Sequence, residues 1–101
     1  MSLDIFVACA MAVSLPSDLP ADLTWKDRQT GSFTTEKPNS DWILEVWLVK
    51  DPKQLEQMQL PPGKPHVIAF SLQGNDDEGF ALLERVYETV YAKCDGTLLD
   101  Y

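Results

Sequence analysis

Histidine, cysteine and basic residues are scarce in this chain of 101 residues. The single histidine, His66, follows Pro65 at a predicted strand end, and no turn typical of a catalytic nucleophile lies near it. The five glycines form no phosphate-binding run, and the two cysteines lack the spacing of a metal site. The sequence therefore identifies no catalytic residue, metal ligand or cofactor site. It favours a non-enzymatic protein, although sixteen acidic residues leave open an enzyme based on paired carboxylates.

Acidic residues outnumber basic ones by sixteen to eight, which gives a net charge of −8. A surface of this charge repels the phosphates of nucleic acids and of anionic lipids. In addition, no apolar run approaches the length of about 20 residues that a transmembrane helix needs. We therefore expect no binding to nucleic acid or membranes, and the charge favours a basic protein as the partner.

The two cysteines, Cys9 and Cys94, each lie among apolar residues. This environment predicts buried, reduced thiols, because free cysteine behaves as a small hydrophobic residue. The apolar run from Ile5 to Val13 resembles a signal segment, but Asp4 precedes it and no basic residue does. The expected location is therefore the cytoplasm, where thiols stay reduced.

The clearest predicted element is a long amphipathic helix at about residues 76–94. Asn75 is suited to cap its start, with Glu78 three residues later, and Gly96 is suited to end it with a left-handed backbone. Apolar residues recur on its inner face at three- and four-residue spacing. These residues are Phe80, Leu83, Val86, Tyr87, Val90 and Cys94.

The remaining segments predict strands and one short helix. The strands are expected at 4–13, in a hairpin at 23–37 that turns at Gln29-Thr30-Gly31, and at 42–50, 66–72 and 97–99. Asp51 and Pro52 predict the start of a short helix at 53–58. The sequence thus predicts one α+β domain over residues 1–101. It should contain a mixed sheet of five or six strands, with the long helix on one face and a β-α-β unit at the C-terminal end.

An acidic stripe is predicted on the long helix. At about 100° per residue, Asp77, Glu84 and Glu88 fall on one line beside Tyr91. Glu84 and Glu88 repel each other at four-residue spacing, and Arg85 is expected to offset this only in part. The stripe is either a solvated face that aids solubility or a binding patch for a basic partner.

Trp47 is the second candidate for binding. Trp42, Leu44 and Val46 alternate on one face of the predicted strand, so Trp47 points to the other face. There it is either covered within the monomer or exposed as an anchor for a partner or a second copy of the chain.

The ending of the chain, in which the long helix runs into Asp95-Gly96-Thr97-Leu98-Leu99-Asp100, resembles that of uncharacterised small acidic bacterial α+β proteins. Some proteins of this kind are immunity proteins that neutralise a basic toxin. The resemblance covers about a quarter of the chain and carries over no functional residue. It implies an immunity- or antitoxin-like inhibitor. The alternatives are a homodimer formed through the Trp47 face, or a ligand-binding domain or enzyme with a site near the Pro61-Pro62-Gly63 loop.

Overall fold

Six strands and two helices make up the computed structural model, which describes residues 2–28, 31–36, 41–74 and 77–99. In chain order they are β1 (Ser2–Cys9), β2 (Lys26–Asp27), β3 (Ser32–Glu36), β4 (Ile43–Val49), α1 (Pro52–Gln57), β5 (His66–Gln73), α2 (Asp77–Cys94) and β6 (Gly96–Leu98). The predicted α+β fold, its strand number and its long C-terminal helix are confirmed. None of the described helices is long and apolar enough to span a membrane.

The strands form one sheet in the order β2-β3-β4-β5-β1-β6, and each neighbouring pair is antiparallel. The sheet is therefore antiparallel, where the sequence analysis expected a mixed one. The reason is the position of β1. β5 and β6 run in the same direction, as a β-α-β unit requires, but β1 lies between them and pairs antiparallel with both.

The main core lies between α2 and the central strands. Leu83, Val86 and Val90 of α2 are buried there, as their spacing predicts. Phe80 departs from the prediction, because it lies at the flank of the helix and is 39% exposed. The buried sheet residues of this core are Val7, Cys9, Trp42, Leu44, Val46, Ile68, Phe70 and Leu72.

Two glycines permit close packing at the ends of α2. A Cβ atom on Gly79 would lie 3.0 Å from Cγ of Trp42, so a larger residue would force Trp42 or the helix to shift by a few tenths of an ångström. A Cβ atom on Gly96 would lie 2.7 Å from Cγ1 of Val7. Gly96 does not supply the expected left-handed conformation; Asp95 does so, with φ of 50°. The predicted cap at Asn75 and the turn residues Gln29 and Thr30 lie outside the described residues.

The opposite face of the sheet carries a smaller core under α1. The helix begins as predicted, with the Asp51 carboxylate accepting a hydrogen bond from the Lys53 N–H at 3.0 Å and Pro52 at the first helical position. Apolar residues in and after α1 pack on this face beside Trp47. The buried residues of this core are Val49, Met58, Val67 and Ala69, and the partly buried ones beside Trp47 are Phe6, Leu55, Leu60 and Leu99.

The prediction of two reduced thiols is wrong, because Cys9 and Cys94 form a disulfide in the structure. Their Cα atoms lie 5.3 Å apart, within the range that disulfides span. Both cysteines are buried, as expected. The sequence does not reveal this pairing, because the strand order that brings Cys9 of β1 beside Cys94 at the end of α2 is not a local property.

Replacing Leu83 by alanine should lower the free energy of unfolding by about 2–5 kcal/mol, because Leu83 is 3% exposed and its removal leaves a cavity. Leu98→Ala is the matched control, since Leu98 is 55% exposed and should cost much less. Urea unfolding followed by circular dichroism measures both. Equal losses in the two variants would contradict this account of the core.

The protein purified without reductant should gain the mass of two hydrogen atoms on reduction, measured by intact-mass spectrometry. Because the disulfide closes a loop with a sequence separation of 85, its reduction should lower the free energy of unfolding by about 2–4 kcal/mol. Urea unfolding with and without reductant tests this on the same sequence. An unchanged mass, together with coincident unfolding curves, would restore the original prediction of free thiols.

Candidate protein-binding surface

The acidic stripe lies on the outer face of α2. Asp77, Glu84 and Glu88 are all exposed. Tyr91 stands one turn beyond Glu88 and is 39% exposed. At 1.5 Å per residue, the stripe from Asp77 to Tyr91 is about 21 Å long. The structure therefore brings these four candidate residues onto one continuous helical surface.

The carboxylates of the stripe have no ion-pair partner among the described residues, because the two bases of α2 are held elsewhere. The Arg85 guanidinium pairs with Asp22 in the segment before β2. Lys93 Nζ donates to the backbone oxygen of Asp18 at 3.4 Å. Arg85 was expected to offset part of the repulsion between Glu84 and Glu88. In the structure it pairs instead with Asp22, which is distant in sequence. The hydrogen bond from Arg85 lowers the pKa of Asp22, and the same contact raises the pKa of Arg85.

Two tyrosines form the edge of the stripe on the side towards β6. The rings of Tyr87 and Tyr91 lie 5.4 Å apart, and Tyr87 meets Phe70 edge-on at 6.3 Å. Tyr91 is therefore supported by a ring that itself contacts the core. Burial raises the pKa of Tyr87, with smaller contributions from Tyr91 and from the negative charge of Glu88.

Apolar side chains extend this edge beyond the tyrosines. Phe80, seven residues before Tyr87, lies on the same flank of the helix. Leu98 pairs with the buried Val7 and is 55% exposed on the helix side of β6. Sequence reasoning missed both: it placed Phe80 in the core, and the exposure of Leu98 depends on the strand order. We call Asp77, Glu84, Glu88, Tyr91, Phe80 and Leu98 the acidic-aromatic surface.

Trp47 lies apart from this surface, on the opposite face of the sheet. It is half-buried and packs beside α1. Its exposed part lines a cavity of about 740 Å³, together with Phe33, Glu45 and Lys50. Trp47 and the acidic stripe therefore cannot contact the same small area of a partner.

The described residues hold no group of three or more His, Cys, Asp and Glu side chains that could bind a metal ion. Comparisons of the chain with protein-family models, with curated proteins and with solved structures gave no match. The geometry and charge of the chain are therefore the basis for the functional argument.

Replacing Glu88 by glutamine should lower the pKa of Tyr87, because removing a nearby negative charge makes the phenolate easier to form. The pKa should nevertheless stay above the ordinary value of about 10, since burial is the largest cause of the shift. Alkaline titration by NMR of ¹³C-labelled tyrosine measures it. Glu84→Gln is the matched control, and an equal change in both variants would contradict the placement of Glu88 beside Tyr87.

Proposed function

We propose that this protein binds a basic protein through the acidic-aromatic surface of α2. The observation that supports the proposal is the set of three exposed carboxylates, Asp77, Glu84 and Glu88, which have no ion-pair partner among the described residues. Like charges at four-residue spacing destabilise a helix by a few tenths of a kcal/mol. A cationic partner that binds beside these carboxylates would relieve the repulsion between them, and this relief would favour binding.

Charge gives the surface its preference for a partner. Opposite charges raise the association rate and disfavour wrong partners, and at physiological salt they act over about 8 Å. A second copy of this chain would bring another net charge of −8 to the same place, which argues against self-association through α2. Basic proteins are therefore favoured over acidic ones and over this chain itself.

The aromatic edge supplies the apolar contact that charge alone lacks. Tyr91, Phe80 and Leu98 are each more than one-third exposed, with values of 39%, 39% and 55%. Large aromatic side chains with partial exposure often anchor protein interfaces and slow dissociation. The acidic residues of the surface should therefore speed association, and its exposed apolar residues should slow dissociation.

In its most specific form, the proposal is that the partner is a basic toxin and that this protein is its immunity- or antitoxin-like inhibitor. The alternative of a ligand site near the Pro61-Pro62-Gly63 loop has less support, because α1 and Leu60 pack on that part of the sheet. The homodimer through Trp47 also has less support, since Trp47 is half-buried within its own chain.

The compartment in which the partner is met depends on the state of Cys9 and Cys94. The expected cytoplasmic location remains a proposal, and the disulfide counts against it because disulfides rarely persist in the cytosol.

Photo-crosslinking in the native host would identify the partner. A p-benzoylphenylalanine at position 91 should capture a basic protein, whereas the same group at position 43 should not. Ile43 is the matched control because it is similarly exposed, at 37%, but points to the other face of the sheet. Equal capture at both positions would count against the acidic-aromatic surface.

The double variant Glu84→Gln/Glu88→Gln should slow association with the captured protein by roughly threefold to tenfold at low salt and flatten its salt dependence. Tyr91→Ala should instead speed dissociation. Surface plasmon resonance measures both rates. The double variant Asp4→Asn/Glu56→Gln removes the same charge from exposed sites outside α2 and should have a smaller effect. Equal slowing by the two double variants would show that only net charge matters.

A further inference from the structure

The opposite flank of α2 borders an open, groove-like cavity that the proposed function does not use. It has a volume of about 450 Å³ and lies between α2, β3 and the segment before β2. Leu23, Ala81 and Leu82 contribute apolar walls, and Thr35 and Trp42 line it from the sheet. Its size falls within the range of natural small-molecule sites.

Two buried residues with polar side-chain groups line this cavity. Trp42 is 4% exposed, and its Nε1 has no hydrogen-bond partner among the described residues. Thr35 is also 4% exposed and lines the cavity. Folded proteins pair nearly all buried polar groups, so an unpaired indole N–H needs an explanation. The nitrogen is covered by neighbouring atoms, so an acceptor in the cavity reaches it only after these atoms move.

The charges around the cavity restrict what can enter. Three of its lining residues are acidic: Asp22, Glu36 and Glu78. Arg85 is the only basic one among the described lining residues, and its guanidinium already pairs with Asp22. An anionic ligand would meet carboxylates without a free cation, and this would weaken its binding.

We propose that this cavity binds a small uncharged or cationic organic molecule that has a fused-ring body and a hydrogen-bond acceptor. The apolar walls take the ring system, and the acceptor bonds the Trp42 Nε1–H, with the Thr35 hydroxyl as a second polar contact. Because the site lies on the other flank of α2, it is independent of the proposed protein partner.

Quinoline is the probe, since it is uncharged at neutral pH and carries one ring-nitrogen acceptor. Indole has a similar size but no such acceptor, and quinoline-6-carboxylate adds a negative charge. Titration of ¹⁵N-labelled protein follows the indole N–H resonance of Trp42, which is assigned by its loss in Trp42→Phe. Trp47, on the other face of the sheet, is the internal reference.

Quinoline should shift the Trp42 resonance saturably and leave that of Trp47 in place. Indole should bind about threefold to tenfold more weakly, because it forms one hydrogen bond fewer with the site. Quinoline-6-carboxylate should also bind more weakly than quinoline. The absence of a saturable shift, equal affinity for quinoline and indole, or a parallel shift of Trp47 would overturn the proposal.

Ala81→Leu narrows the cavity from an exposed helix position and should abolish the response to quinoline. Ala92→Leu is the matched control, because Ala92 is exposed on the same helix and does not line the cavity. It should bind quinoline as the unchanged protein does. An undiminished response in Ala81→Leu, or equal losses in the two variants, would place the binding elsewhere and overturn the assignment.

Discussion

The packing of α2 on the centre of the sheet is the interaction on which the rest of this structure depends. Leu83, Val86 and Val90 cover the buried strands, and Gly79 lets the helix start against Trp42. This contact fixes the rotation of the helix about its own axis. Once the apolar residues face the core, the directions of all the remaining side chains are set. The acidic stripe, the tyrosine edge and the small cavity are consequences of that single rotation.

The charges of α2 are divided between its two flanks by the same rotation. On one flank, Arg85 and Lys93 reach back to the segment between β1 and β2 and hold it against the helix. On the outer face, Glu84 and Glu88 have no such contact within the described chain. An exposed ion pair contributes little to stability. Its larger effect here is to remove a cation from the neighbourhood of the stripe, so that the negative potential is concentrated along one line.

Much of the fold could be predicted from the sequence because the information is local. The period of the apolar residues gave α2, and alternation placed Trp42, Leu44 and Val46 opposite Trp47. Helical geometry also placed Asp77, Glu84, Glu88 and Tyr91 on one line. The left-handed backbone at Asp95 instead of Gly96 is a local error, and the larger errors are non-local. Periodicity shows which face of an element is apolar but not which element covers it, so the disulfide, the Asp22–Arg85 pair and the cavity beside Thr35 could not be predicted.

The position of β1 between β5 and β6 also bears on how the chain is made. β1 precedes the other described strands in sequence, yet Val7 pairs with Ile68 on one side and with Leu98 on the other. On the ribosome β1 therefore has no strand partner until β5 and then β6 have emerged. Such long-range pairing slows folding and exposes the first strand to aggregation. The first and last described strands thus meet within the sheet, and its final edge forms only when β6 docks on β1.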